Sequence, residues 1–392
     1  MASPQAEFSA ASSQRWLVLT GQLAFLPTGV LTTLLGPMLP ILIAHWMMND
    51  TQAGSLFLVQ FLAMLGGVQL SGALLRRWGF RPAFLSGLFL MAGGVSTFYA
   101  GSSVVGLVSV ATYGLGLGLI IPTDNLLIAE ISAETGLGSS AGAVSLLNFY
   151  WGVGAVVCSL MVAWTASHNL LPYFFGSVAV ILLLLALAMR NLPFPPAETP
   201  AEWAGSSSFW KMAKNPTIWI FAAVFFLYPG TETAVGGWIG SYVSRLGPGG
   251  ASLASMMPAF FWSALTLGRA LGTAFLRHFS EGRVLRTGYA AGAAGIGLML
   301  WAPTLDSVIG GAMITGLSFA TLYPITVARF SQRFGVAARS IGAIMFSLAA
   351  VGPAVIPWMV GVISHATGSL RAGLLLPLGA TIILFLVSLA ES

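Results

Sequence analysis

Gly72-Ala-Leu-Leu-Arg-Arg77 returns two hundred residues later as Gly272-Thr-Ala-Phe-Leu-Arg277, and this echo decides how the chain is organised. Each copy ends an apolar run with basic residues. Further pairs keep nearly the same offset and order: Ser140-Ala-Gly142-Ala with Ser340-Ile-Gly342-Ala, Gly152 with Gly352, and Pro122 with Pro324. One coincidence of this kind carries little weight. Several in sequence define two parallel internal repeats.

The repeats are built from membrane spans. Hydrophobic residues make up 57% of the 392 residues and charged residues only 7%, against roughly 25% charged in soluble domains. So little charge cannot cover a soluble surface of this size. Apolar runs fall at 16–45, 51–75, 82–102, 104–131, 139–167, 171–189, 217–244, 251–276, 284–303, 307–330, 340–365 and 371–390. Each is about 20 residues or longer, the length that crosses a bilayer. The fold class expected is an all-α membrane protein, with twelve transmembrane helices in two pseudo-symmetric six-helix bundles. Residues 1–189 form the first bundle, 190–216 a cytoplasmic linker rich in Pro, Glu and Ser, and 217–392 the second bundle. The first run is uncharged and too long for a cleaved signal sequence, so it is expected to remain as a span.

Charge sets orientation. With the N-terminus inside, Arg15, Arg76, Arg77, Arg81, Arg190, Lys211, Lys214, Arg277, Arg283, Arg286, Arg329, Arg333 and Arg339 face the cytoplasm, whereas the outer loops hold only Arg245 and Arg371. This bias places both termini on the cytoplasmic side of a cell (inner) membrane. The net charge of +5 is spread over these short loops and does not cluster as a nucleic-acid surface would. Cys158 is the single cysteine, and the four histidines lie near span ends or in loops, so neither a metal site nor a disulfide framework is expected. No nucleophile–base constellation or nucleotide motif is present. The chain therefore reads as a monomeric non-enzyme without cofactors.

With these features on the page, the whole chain resembles the major facilitator superfamily. The loop Gly72-Ala-Leu-Leu-Arg76-Arg77-Trp-Gly79-Phe-Arg81 is similar to that family's signature between spans two and three, except that Arg76 stands where an Asp is usual. Three segments are most similar to the fucose/glucose/galactose–proton symporter branch and its sodium-dependent glucose and bypass-of-stop-codon-like relatives. They are Gly116-Leu-Gly-Leu-Ile-Ile-Pro122-Thr-Asp124-Asn125, Leu146-Leu-Asn148-Phe-Tyr-Trp151-Gly152-Val-Gly154, and Tyr228-Pro-Gly-Thr-Glu232-Thr-Ala-Val-Gly236-Gly237-Trp238. The resemblance implies a secondary transporter that exposes a central site alternately to the two sides. Some members of that branch carry an acid in span one; this chain has none between Arg15 and Asp50.

Four ionisable residues lie well inside spans: Asp124, Glu130, Glu232 and Arg269. Charges at such depth are expensive unless paired, protonated or wetted. Glu232 follows Pro229-Gly230, which should loosen span seven around it. It reads as a substrate acceptor or proton-coupling carboxylate, or as a brace tied to Tyr242 or Arg269. Asp124 and Arg269 read as a proton carrier and its partner, or as an ion pair closing a gate. Glu130 lies closer to the inner surface. For a sugar-like solute, neutral hydrogen-bonding groups and flat rings are needed, and Gln22, Asn125, Asn148, Trp151, Tyr228, Glu232, Trp238, Trp262 and Tyr323 are the candidate contacts. Packing between helices competes for the tryptophans. The expected function is transport of a small polar solute, a monosaccharide first, with a proton or down its own gradient. The alternative is efflux of drugs or organic anions using Arg269 and the intramembrane acids.

Overall fold

A computed structural model describes residues 4–135, 140–195, 215–335 and 337–390, and all regular structure among them is helical. The middle of the linker, residues 196–214 with Trp210, Lys211 and Lys214, lies outside the described residues. The first half contains α1 (Pro4–Thr33), α2 (Leu35–His45), α3 (Asp50–Trp78), α4 (Phe80–Thr97), α5 (Ser103–Thr135), α6 (Ser140–Ser167) and α7 (Leu171–Met189). The second contains α8 (Pro216–Val243), the short α9 (Pro248–Leu253), α10 (Met257–His278), α11 (Glu281–Trp301), α12 (Leu305–Phe319), α13 (Leu322–Phe334), α14 (Ala337–Thr367) and α15 (Leu370–Ala390).

Each of the twelve apolar runs corresponds to one helix or to one interrupted helix. Among the described residues, ten stretches are long and apolar enough by themselves to cross a membrane. The third and ninth runs fall short of that test. α4 is short and starts beside Arg81, and α11 opens with Glu281, Arg283 and Arg286 and continues with many Gly and Ala. These two helices occupy the same place in the repeat. Each packs closely on the helix that follows it, α4 on α5 and α11 on α12.

Proline explains the interruptions. Pro37 lacks the N–H that would reach the Thr33 carbonyl, and the chain turns at Leu34 between α1 and α2. Pro324 likewise removes the donor for the Ala320 carbonyl, and turn residues 320–321 separate α12 from α13. The expected loosening at Pro229 does not occur: α8 runs unbroken through it. Thr233 donates its hydroxyl to the Pro229 carbonyl at 2.8 Å. Gly230 instead serves a close helix crossing, since a side chain there would strike the Gly352 carbonyl and Ile356 of α14.

The same crossing is built in both halves. Gly154 of α6 lies on the Leu26 carbonyl of α1, and Gly352 of α14 lies on the Phe226 carbonyl of α8. Gly29 meets Trp151 as Gly230 meets Gly352. Small residues bring the backbones together where lipid offers helices no hydrophobic drive to associate. The repeat read in the sequence is thus also a repeat of contacts.

By contacts the chain forms two compact units, residues 1–32 with 63–200, and residues 33–62 with 201–392. In the first unit, Phe98 packs edge-on against Tyr113 and Phe175. Arg81 donates to the Leu192 carbonyl at 2.8 Å and lies over the Phe194 ring, fastening the loop between α3 and α4. In the second unit, Phe221, Phe225 and Phe330 form a cluster with Ile218, Ala222, Ile341 and Met345. Segment 33–62 is held in that unit by its chemistry. Arg245 donates to both Asp50 carboxylate oxygens, at 2.9 and 2.5 Å, and Ser364 donates to the same carboxylate. Phe57 lies beside Trp238, and Gly54 lies against the Trp358 backbone.

Leucine at Gly352 has no room beside the Phe226 carbonyl, and overpacking of this kind costs about 1–3 kcal/mol. Gly352→Leu should lower the apparent melting temperature of the purified protein by several degrees. Gly379→Leu, where no atom lies within 4 Å of the added carbon, should leave it unchanged. Thermal-shift measurement of the two variants decides this.

Candidate functional site

α8 carries Tyr228, Glu232 and Gly236 at successive four-residue steps, so they share one face. Trp262, Thr266 and Arg269, at steps of four and three, likewise share one face of α10. The two faces meet. Arg269 Nη2 lies 3.8 Å from Glu232 Oε1, with side-chain exposures of 27% and 13%. These values leave both charges partly accessible, and attraction between them offsets part of the cost of removing each from water. The Trp262 indole lies against Gly236, where any side chain would displace it.

Tyr228 is the centre of the group. Its hydroxyl lies 2.5 Å from Glu232 Oε2 and 2.7 Å from the Phe319 carbonyl, and Tyr228 itself is 2% exposed. The Tyr323 ring stacks on the Tyr228 ring at 6.1 Å with a 17° interplanar angle, and Phe319 meets Tyr228 edge-on. Tyr323 stands just after the break between α12 and α13, so that break delivers both a flat ring and a backbone acceptor to Tyr228. Tyr242, a possible brace for Glu232, donates instead to the Met299 carbonyl at 3.2 Å.

The structure gathers Tyr228, Glu232, Trp262, Arg269 and Tyr323 in the second unit. Trp238 stands apart from them in character. It is fully buried, its indole N–H donates to the Pro357 carbonyl at 2.9 Å, and Phe57 lies beside it. With its single donor spent, Trp238 packs between helices. Thr266 was not singled out in the sequence, although it sits one turn from both Trp262 and Arg269, and its buried hydroxyl oxygen has no hydrogen-bond partner.

In the first unit, Asn125 donates to the Ile121 carbonyl at 2.7 Å and Asn148 to the Val144 carbonyl at 2.9 Å, each within its own helix. Both side chains are half-buried and keep an amide oxygen and one N–H for other partners. Trp151 directs its indole N–H to Thr32 at 3.4 Å, and Gln22 is buried on α1. Asp124 is fully buried, and neither carboxyl oxygen has a hydrogen-bond partner. Gly21 of α1 makes room for it: a carbon added at Gly21 would lie 2.7 Å from Asp124 Oδ1. Within the second unit, Glu232 is the acid that lies beside Arg269.

Residues 23–357 match the sequence profile of the Major Facilitator Superfamily. The chain belongs to that superfamily. It is a multi-pass membrane transporter, not an enzyme. It is similar to Bypass of stop codon protein 6 of Saccharomyces cerevisiae, with 23% identity over 88% of this chain and 76% of that protein. It is 24% identical to a glucose/galactose transporter of Brucella abortus, over 88% of this chain and 87% of the relative. Among solved structures, a point mutant of the nucleoside transporter NupG superposes with a TM-score of 0.81 at 13% identity, covering 95% of this chain and 99% of the other. At that identity the superposition establishes the fold alone.

A buried carboxyl with no donor costs free energy in either protonation state, and leucine has nearly its shape. Asp124→Leu should therefore raise the apparent melting temperature, by the equivalent of about 1–3 kcal/mol. A lower melting temperature would show that the carboxyl has a stabilising partner.

Proposed function

We propose that this chain carries a neutral monosaccharide or a closely related polyhydroxylated solute across a cell membrane by alternating access, as a monomer with both termini cytoplasmic. The observation that carries this reading is the group Tyr228, Glu232 and Tyr323. A carboxyl oxygen and a tyrosine hydroxyl stand beside stacked aromatic rings, which is the combination a sugar asks for. Its hydroxyls need acceptors and donors, and its C–H face needs a flat apolar partner. Trp262 and Thr266 extend the same surface from α10. In the first unit, Gln22, Asn125, Asn148 and Trp151 offer further amide groups and a ring. The similarity to a glucose/galactose transporter supports the same substrate class.

The competing reading is transport of an organic anion held by Arg269. The Glu232 carboxylate 3.8 Å from the guanidinium already supplies negative charge there, and an anionic substrate would have to displace or neutralise it. A neutral solute fits the pair without that conflict.

Purified protein in liposomes should accumulate or exchange radiolabelled glucose or galactose. Glu232→Gln should reduce uptake about tenfold or more, the effect of losing a charged hydrogen bond of about 1.5–3 kcal/mol. Unchanged uptake with unchanged pH dependence would remove Glu232 from the mechanism. Stabilisation by carboxylates or lipophilic cations, with none by sugars, would favour the anion or drug reading.

A further inference from the structure

α3 is long and apolar enough to span the membrane and ends on Arg76, Arg77 and Trp78, after which Gly79, at a φ of 79°, turns the chain into α4. All three side chains are exposed, Trp78 by 57%. The Arg77 guanidinium lies over the Trp78 ring, 4.8 Å from its centre. Arg76 folds back along its own helix: a carbon added at Gly72, one turn earlier, would lie 3.4 Å from Arg76 Nη1. Arg81, the next cation in the chain, is occupied with the Leu192 carbonyl and the Phe194 ring. Among the described residues, the ion pairs are Asp50 with Arg245 and Glu232 with Arg269. Arg76 and Arg77 therefore stand side by side with no acid between them.

The superfamily signature usually has an Asp where Arg76 stands, and a carboxylate there would offset Arg77. This chain instead doubles the positive charge. The C-terminal end of a helix favours a cation, yet two adjacent guanidiniums repel each other, and a bound anion relieves that repulsion.

We propose that Arg76, Arg77 and Trp78 dock the phosphate of an anionic phospholipid from the leaflet around this end of α3. Three features favour a lipid over a soluble anion. Arg76 reaches back toward the span, whereas an arginine seeking only water extends its head outward. Its donors thus lie on the bilayer side of its own backbone. Trp78 supplies an amphipathic ring of the kind that sits at headgroup level. Between residues 63 and 75, the exposed positions of α3 are Gly66, Gln69, Leu70 and Ala73, apolar save for Gln69. They offer an acyl chain a surface that leads up to the two guanidiniums. Basic groups beside a span attract anionic lipid, each by about fivefold in binding.

Native mass spectrometry of the purified full chain, titrated with phosphatidylglycerol and with phosphatidylcholine, tests this. Wild type should bind phosphatidylglycerol more tightly. Arg76→Gln and Arg77→Gln should each weaken that binding about fivefold, and Arg76→Asp should weaken it further, all with phosphatidylcholine binding unchanged. Arg190→Gln, which removes an exposed cation at the end of α7, should keep the preference of wild type. An equal loss in Arg190→Gln, or a preference that survives the loss of both Arg76 and Arg77, would overturn the site. Inorganic phosphate competing as well as phosphatidylglycerol would overturn the lipid assignment in favour of a soluble anion. Melting temperatures of the variants in phosphatidylcholine should match wild type. A fall there would assign the arginines to stabilising the helix end instead.

Discussion

The second unit is organised around keeping a carboxyl and a guanidinium inside membrane-spanning helices. Lipid cannot solvate either, so every nearby element supplies part of what water would have given. α10 brings Arg269 to within 3.8 Å of Glu232, α8 turns Tyr228 onto the same carboxyl one helical turn away, and the end of α12 accepts from that tyrosine. The glycines of α8 and α14 matter for the same reason. Gly230 and Gly352 let the two backbones approach closely beside Pro229, where α8 continues unbroken. The acid is therefore fixed in place by helix packing rather than by a local unwinding.

The two units treat their acids differently. Asp124 is sealed among α5 and α1 neighbours with no donor to either oxygen, whereas Glu232 has a tyrosine, an arginine and partial exposure. The first arrangement stores a polar group at a cost. The second leaves its acid paired and partly exposed. A twofold repeat need not place equal chemistry in its two halves. Here the helix crossings are repeated, Gly154 with Leu26 and Gly352 with Phe226, while the ionisable groups are not, as Gln69 standing two hundred residues before Arg269 already shows.

Much of the fold was legible because it follows from solvent. Twelve apolar runs separated by short polar loops, and spaced repeats, are what a bilayer demands of a helical chain, and each run became a helix or an interrupted one. What escaped was set by contacts distant in sequence. Pro229 and Pro324 look alike on paper, yet only the second interrupts its span, because α14 supports α8 at the first. Trp238 and Trp262 also look alike, but the Trp238 indole N–H donates to the Pro357 carbonyl, while the Trp262 indole lies against Gly236. The grouping of residues 33–62 with 201–392 depends on Asp50 meeting Arg245 and Ser364, partners 195 and 314 residues away. Within the site, the spacing of Tyr228 and Glu232 could be read from helical periodicity. The Phe319 carbonyl could not, since backbone acceptors carry no signature in sequence.

The central claim is that a sugar-like solute is recognised on the surface formed by Tyr228, Glu232 and Tyr323. An experimental structure determined in lipid with saturating galactose tests it most directly. The account predicts ligand density against the Tyr323 ring with a hydroxyl in hydrogen-bonding contact with Glu232. Well-ordered ligand density elsewhere, with these three side chains untouched, would contradict it.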